Sequence, residues 1–103
     1  ADDRIRDYVL RIVESTRPGA ASRIESVREH VRFGASPRAT LYLTLAAKAH
    51  AFLRHRAYVV PEDVKSIAPD VLRHRIVLTY EAEADEISTD DVIRKLLEII
   101  PIP

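Results

Sequence analysis

The chain has 103 residues, no cysteine, and 16 basic side chains against 16 acidic ones. This length suits one domain with its own hydrophobic core, and the absence of cysteine excludes disulfides, thiolate metal sites and a cysteine nucleophile. The balanced charge argues against a domain that binds nucleic acid through its phosphates, and no apolar run is long enough to span a bilayer. We therefore expect a cytoplasmic protein whose partners are neither nucleic acids nor membranes.

The chain opens with two predicted helices. Over 3–16, apolar residues recur at the spacing of one helical face, namely Ile5, Tyr8, Val9, Ile12 and Val13. Pro18-Gly19 ends this helix. A second, shorter helix is predicted at 22–31, where Ser22 and Glu25 have the spacing of a capping box.

The longest predicted helix covers 37–55 and follows a break in the chain. Gly34 permits backbone angles that other residues avoid. Ser36 is a good N-cap, and Pro37 occupies the first helical position, where its missing N–H costs nothing. The spacing of large apolar residues predicts a buried stripe of Leu41, Leu45, Ala49 and Phe52.

Short extended pieces separate the helices that follow. The β-branched and aromatic stretch 58–60 is predicted to be extended, since it leads into a proline. Pro61 then opens a helix with acids in its first turn. Pro69 is expected to interrupt that helix and to start a short further one that ends near Arg75.

The end of the chain is predicted to be one extended piece, a loop and a helix. Residues 76–78 are apolar and extended, and the acidic stretch 79–86 is a loop. Ser88 and Asp91 have the spacing of a capping box, with Asp in place of the usual Glu. The last helix starts there and stops at Pro101.

These elements predict an all-α fold, a small bundle of about five helices. Its β content is expected to be confined to a short two-stranded pairing that involves 58–60. The predicted core consists of Ile5, Val9, Ile12, Leu41, Leu45, Phe52, Val64, Ile67, Leu72, Leu96 and Leu97.

The chain offers no constellation of residues for catalysis. Gly19 and Gly34 are its only glycines, so it has no phosphate loop of the form G-x-x-x-x-G-K-[ST]. The four histidines lack metal-ligand spacing, and we interpret them as surface or hydrogen-bonding residues. The paired acids at 62–63 and 90–91 lie at predicted helix starts, where the helix dipole favours them. We predict no activity, metal or cofactor for the chain alone.

Arg38 is the sharpest single feature. It lies in the first turn of a helix, where its charge meets the positive end of the dipole, an arrangement that costs up to about 1 kcal/mol. It could pair with a nearby acid or point into solvent. It could instead join the helix N-terminus in facing an anion such as a phosphate. Spacing alone leaves these interpretations open.

A family resemblance adds to this picture. The segment 34–39, Gly-Ala-Ser-Pro-Arg-Ala, resembles the sensor-2 motif of MoxR-type AAA+ ATPases. Thr16-Arg17 resembles the T-R that ends the family's first lid helix. Residues 56–64 resemble the motif R-x-Y-V-x-P-x-D-V, and residues 71–76 resemble V-L-x-H-R. These motifs occur in the family's order, whereas 18–33 is longer than the commonest version.

The resemblance implies that residues 1–103 are a single C-terminal lid domain from a longer, hexameric ATPase. An absent α/β domain would hold ATP and Mg²⁺, and the lid would close over the nucleotide. Arg38 would reach the γ-phosphate. The nucleotide-binding set would further include Gly34, Ala35, Ser36, Pro37, Tyr8 and Ile12. The partners would be the parent's own nucleotide-binding domain, neighbouring subunits, and protein substrates matured in a chaperone-like way.

A second hypothesis is a free-standing helical module that binds protein or, like a helix-turn-helix domain, DNA. The runs at 54–56 and 73–75, both Arg-His-Arg, could form a basic patch. Alternatively, these cations cap the C-termini of helices. A phosphate loop in the upstream coding sequence would decide for the lid.

Overall fold

The computed structural model describes residues 3–18 and 24–103. Within these ranges the chain forms six helices and one two-stranded sheet. The helices are α1 Asp3–Ser15, α2 Glu25–His30, α3 Arg38–Leu53, α4 Pro61–Leu72, α5 Tyr80–Ala84 and α6 Thr89–Ile99. The strands are β1 Val31–Phe33 and β2 Val77–Leu78. The all-α prediction is confirmed, with one helix more than expected.

The sheet lies elsewhere than predicted. β1 continues directly from α2 and pairs antiparallel with β2, with Val31 opposite Leu78 and Phe33 opposite Val77. The expected pairing at 58–60 is wrong, because the N–H of Val60 is taken by the carboxylate of Asp63 rather than by a strand. The expected extended piece at 76–78 is confirmed as β2. The capping box expected from Ser22 falls outside the described residues.

Residues 79–86, expected to be a loop, contain α5. The Thr79 hydroxyl accepts the N–H of Ala82 at 3.2 Å and so caps this helix. The same hydroxyl donates to the carbonyl of Glu29, and the Thr79 N–H donates to the carbonyl of His30, each at 2.9 Å. The helix therefore forms because Thr79 caps it and anchors it to α2, while Ala82 is fully buried.

Helix α4 continues through Pro69, so the predicted interruption there is wrong. A proline inside a helix removes one backbone hydrogen bond and crowds the preceding turn. Val64, Ala68 and Leu72 recur every four residues on either side of it, and all three are fully buried. Burial of this continuous face outweighs the local cost of the proline.

The buried face of α3 is made of small residues. It consists of Ala39, Leu43, Ala47 and Ala51. The predicted stripe is wrong: Leu41, Leu45 and Phe52 are 56%, 53% and 77% exposed. Because α3 is apolar on nearly all sides, hydrophobic spacing alone cannot rank its faces. Helix–helix distance depends on side-chain size at the contact, so the alanine face lets α4 and α1 approach closely.

The remaining core predictions hold. Ile5, Val9, Ile12, Val64, Leu72, Leu96 and Leu97 are buried, and Ile67 is partly buried against the core. The predicted capping box of α6 is present: the Ser88 N–H donates to Asp91 at 2.9 Å, and the Asp91 N–H donates to Ser88 at 3.1 Å. Of the helices in the described ranges, none has the length and apolar character needed to cross a bilayer.

Candidate functional site around the start of helix α3

The first turn of α3 is closed by backbone groups. Pro37 precedes the helix with helical angles, φ −56° and ψ −26°. The N–H of Ala39 donates to the carbonyl of Ser36 at 3.0 Å, and that of Thr40 donates to the carbonyl of Pro37 at 3.1 Å. The expectation that Ser36 caps the helix is wrong, because no side-chain cap is present and the main-chain carbonyl of Ser36 takes the first N–H.

Arg38 is exposed at this helix start. The first turn of α3 contains no acidic residue. Among residues 3–18 and 24–103, none forms a hydrogen bond or ion pair with the Arg38 guanidinium. Pairing with a described acid is therefore excluded, and of the three interpretations given above, solvent and an external anion remain.

The backbone just before Arg38 is tied to the end of α1. The Thr16 hydroxyl donates to the carbonyl of Val13 at 2.7 Å and accepts the N–H of Ala35 at 2.9 Å. The next residue, Arg17, donates its Nε to the carbonyl of Ala35 at 3.1 Å. Thr16 is fully buried and Ala35 is 1% exposed. Two consecutive residues thus hold both backbone polar groups of Ala35.

Gly34 fits because of close approach. A Cβ at this position would lie 2.5 Å from the carbonyl oxygen of Thr16 and 2.7 Å from the Cα of Arg17. The φ angle of Gly34 is outside the left-handed range, so the unusual backbone angles expected of this glycine are not what it supplies. The absence of a side chain lets the segment before α3 lie directly on the segment after α1.

Tyr8 and Ile12 are core residues of α1. They are 3% and 0% exposed. The hydroxyl of Tyr8 is buried without a hydrogen-bond partner in the described part of the chain, and burial raises the pKa of Tyr8 above its usual value of 10.0. Of the predicted nucleotide-binding residues, the structure brings Gly34 to Arg38 together, and only Ser36, Pro37 and Arg38 have largely exposed side chains.

A row of large apolar side chains continues from Arg38 along α3. Leu41, Leu45 and Phe52 lie on the same side of the helix as Arg38, since residues three and four apart are neighbours on a helix surface. All three are more than half exposed. A continuous row of exposed apolar side chains is typical of a surface that contacts another protein.

A buried carboxylate follows the other end of α3. The side chain of Asp63 is fully buried. Arg56 reaches it with two nitrogens, Nη1 to Oδ2 at 2.7 Å and Nη2 to Oδ1 at 2.9 Å. His50 Nδ1 lies 2.6 Å from Oδ1, and the N–H of Val60 donates to Oδ2 at 2.8 Å. The bond from Arg56 is the largest cause that holds the pKa of Asp63 well below its usual value of 3.8.

This group was not predicted. The helix dipole alone explains an acid at position 63. His50 was predicted only as a surface or hydrogen-bonding residue, and Arg56 only as part of a basic patch or a helix cap, so neither was linked to Asp63. The available signal was the motif at 56–64, whose Arg and Asp are the two partners. The pair joins the segment after α3 to the first turn of α4.

The two basic runs do not form one open cationic patch. Arg56 is engaged by Asp63, and Arg73 donates to Asp90 at 2.8 Å and pairs with Asp70 at 3.1 Å. The guanidinium carbon of Arg75 lies 4.3 Å from the centre of the Tyr42 ring, a cation–π distance. Most of these cations therefore connect elements of the fold. In the described ranges, no group of three or more His, Cys, Asp or Glu side chains has the geometry of a metal site.

Comparison with known proteins identifies the family. Residues 23–96 match the family model described as "AAA lid domain". The chain is 50% identical over 97 residues to the chaperone MoxR1 of Mycobacterium tuberculosis, covering 94% of this chain and 26% of that protein. It is 37% identical over 109 residues to the protein MoxR of Methylorubrum extorquens, covering all of this chain and 32% of that protein.

A solved structure supports the same assignment. A candidate ATPase from Cytophaga hutchinsonii superimposes with a TM-score of 0.91 at 41% sequence identity, over 99% of this chain and 31% of that one. The chain thus spans about a third or less of the length of the relatives it matches. The family match covers most of the chain and includes the start of α3 with Arg38. The chain therefore belongs to the AAA lid domain family, as the lid of a MoxR-type AAA+ ATPase.

Proposed function

We propose that this chain is the sensor-2 lid of a longer MoxR-type ATPase, and that Arg38 contacts the γ-phosphate of ATP bound by the rest of that protein. The observation that carries the proposal is the state of Arg38. It is exposed, it has no partner among the described residues, and it lies at a helix start that disfavours its charge. A phosphate would relieve this conflict, because guanidinium groups bind phosphate oxygens through forked, charge-assisted hydrogen bonds.

The nucleotide itself would be held by the other part of the parent. Phosphoryl transfer depends mostly on positioning and on stabilisation of charge. An arginine on a rigid helix fulfils both needs, and it also distinguishes bound ATP from ADP. Hydrolysis then removes the group that Arg38 holds, so that the lid loosens. Such a ligand-dependent change between two arrangements is the common form of a nucleotide switch.

The apolar row of α3 supports this orientation. Leu41, Leu45 and Phe52 are exposed on the side of α3 that carries Arg38. If Arg38 faces bound ATP, this row faces the protein surface beside the nucleotide. Gly34 to Pro37 would then lie at the edge of the nucleotide, on the adenine side. Tyr8 and Ile12, the other members of the implied nucleotide-binding set, are buried in the core.

The wider setting follows from the family. We propose a cytoplasmic parent that forms a hexameric ring, uses ATP with Mg²⁺, and matures or remodels partner proteins in a chaperone-like way. The support is the similarity to a relative named as a chaperone and to other MoxR proteins. The 103-residue chain serves as the lid alone, and its activity depends on the remainder of the parent.

The test compares Arg38→Ala in two settings. In the 103-residue chain, the substitution should change the free energy of unfolding by less than about 0.5 kcal/mol, as exposed substitutions do. In the parent, ATP turnover should fall strongly, since arginines that stabilise phosphoryl transfer contribute roughly 10³- to 10⁵-fold, with a sensor residue at the lower end. Arg38→Lys should restore little of the activity, because Lys lacks the planar fork.

Arg94→Ala is the matched control. Arg94 is also exposed on a helix, and its side chain pairs with Asp91 at 3.2 Å. This variant should keep both the stability of the chain and the turnover of the parent. If Arg38→Ala unfolds the chain, or if turnover per folded molecule is unchanged, Arg38 is not a phosphate sensor.

A further inference from the structure

Arg38 lies between two fixed points of the backbone. On one side is Ala35, which is 1% exposed and held through both its N–H and its carbonyl by Thr16 and Arg17. On the other side is Ala39, which is fully buried in the face that α3 turns to the core. The backbone of Arg38 is therefore fixed from both directions, whereas its side chain is exposed and has no partner in the part of the chain that the structure describes.

We infer that Thr16 and Arg17 are positioning residues for Arg38. They act through Ala35, and they set the place and direction from which the Arg38 guanidinium leaves the domain. The inference rests on the proposed function, because it concerns the approach of Arg38 to a phosphate. Positioning has a large effect on such contacts, since a misplacement of about 1 Å can reduce a rate roughly 10²-fold.

The same contacts couple the end of α1 rigidly to the start of α3. The Thr16 hydroxyl bridges the carbonyl of Val13, which belongs to α1, and the amide of Ala35. Gly34 lies against the backbone of Thr16 and Arg17 with no room for a Cβ. A displacement of Arg38 when a phosphate binds or leaves is therefore transmitted directly to α1. Thr16-Arg17 and Gly34-Ala35 thus serve one purpose, although they are far apart in the sequence.

The hydrogen bonds of Thr16 and Arg17 to the backbone of Ala35 form a clamp, and the first test measures this clamp in the 103-residue chain. Thr16→Val keeps the branched shape and removes the hydroxyl that accepts the Ala35 N–H. Hydrogen exchange at the Ala35 amide should become roughly tenfold faster, as expected for loss of one buried hydrogen bond, after correction for any change in global stability. Thr44→Val is the matched control, because the Thr44 hydroxyl donates to the carbonyl of Thr40 at 2.8 Å, away from the clamp. Unchanged exchange at Ala35 in Thr16→Val would overturn the inference.

The second test separates positioning from simple structural support. In the parent, Arg17→Leu should lower kcat for ATP roughly tenfold or more. If Arg17 acts through Arg38, the same substitution should have no further effect in an Arg38→Ala background, since residues that act as a unit are not additive. A purely structural role of Arg17 predicts equal losses in both backgrounds. Arg94→Leu should leave turnover unchanged and serves as the control for removing an exposed arginine.

The outcomes distinguish the two proposals. If Arg38→Ala reduces turnover and Arg17→Leu reduces it further by its full factor, the positioning role is wrong while the sensor role stands. If Arg38→Ala leaves turnover unchanged, the sensor role fails and the positioning role fails with it. In that case, faster exchange at Ala35 in Thr16→Val would still show that the clamp exists as a structural feature alone.

Discussion

The arginines at the two ends of α3 have opposite surroundings. At the start, Arg38 is exposed and has no partner among the described residues. After the end of α3, Arg56 donates two hydrogen bonds to the buried carboxylate of Asp63, and His50 forms a hydrogen bond with the same carboxylate. Both arginines belong to segments that resemble family motifs. A sequence motif therefore does not show whether its arginine binds a ligand or stabilises the fold. The contacts that the arginine makes in the structure distinguish these roles.

The difference follows from desolvation. A buried carboxylate must be compensated by hydrogen bonds and opposite charge, and Arg56, His50 and the N–H of Val60 provide both for Asp63. Among the described residues, no buried acid makes such a demand on Arg38. We therefore propose that this cation, at a helix end that disfavours it, is available for a ligand. Substitutions can test this contrast at each end of the helix.

The largest expected effect is at the buried end. Asp63→Asn removes the negative charge that pairs with Arg56, and it should cost about 3–5 kcal/mol of unfolding free energy, as does breaking a buried ion pair. Chemical denaturation of the two proteins measures this difference. Glu62→Gln, a change at the exposed neighbouring acid, should have little effect. A loss below about 1 kcal/mol for Asp63→Asn, which is typical of surface pairs, would remove the contrast between the two arginines.

The pair also predicts acid sensitivity. The pKa of Asp63 is lower in the folded chain than its usual value of 3.8, chiefly because of the hydrogen bond from Arg56. Its contribution to stability is therefore complete above that value and is lost as the pH falls below it. The difference in thermal midpoint between the wild-type chain and Asp63→Asn should be large at about pH 6 and smaller at about pH 3. A difference that is equal at both values would contradict the assigned ion pair.

Between the two ends, the faces of α3 should differ sharply. Leu43→Ala should cost about 2–5 kcal/mol, as large-to-small changes in a core do, because Leu43 is fully buried. Leu45→Ala should cost less than about 0.5 kcal/mol, because Leu45 is more than half exposed. Thermal or chemical unfolding of both variants checks this pair. Similar losses for the two would mean that α3 is rotated from the orientation described.

A small gain in stability is expected at the turn that leads to Arg56. His55 has a φ of 62°, and the N–H of Arg56 donates to the carbonyl of Ala51 at 2.9 Å, which is a left-handed helix end of the Schellman type. Glycine adopts this conformation without the steric cost of a Cβ, so His55→Gly should raise stability by about 0.5–1 kcal/mol. Arg54→Gly, at φ −93°, should lower it. A loss in His55→Gly would show that the histidine side chain stabilises the turn.

Elements with clear local contrast could be predicted from the sequence. Helix α1 has one polar and one apolar face, so its buried residues could all be predicted from the spacing of its apolar residues. The cap of α6 follows from Ser88 and Asp91, which need only each other. Arg38 is exposed, and the phosphate contact that its family motif implies stays a proposal. In these cases the residues that decide the structure lie within one or two turns of each other.

The remaining features depend on contacts that local patterns do not contain. The partner of β1 is β2, which lies beyond α3 and α4 in the chain. The orientation of α3 depends on the size of the space offered by α4 and α1, not on hydrophobicity. The ion pair joins Arg56 to Asp63, which is 7 residues away, and the hydrogen bond of Thr16 joins it to Ala35, which is 19 residues away. Each of these contacts depends on which elements pack together in the fold, and the local sequence does not contain that information.

The alanine face of α3 has one more consequence, which concerns rotation about the helix axis. The space between α3 and its neighbours accommodates Ala39, Ala47 and Ala51, with Leu43 as the one large side chain. A turn of the helix about its axis would bring Leu41, Leu45 or Phe52 into that space, where their side chains would not fit. Packing density in a core makes such a change costly. The alanines thus permit only one rotational orientation of α3 against its neighbours, and in this orientation Arg38 points away from the core.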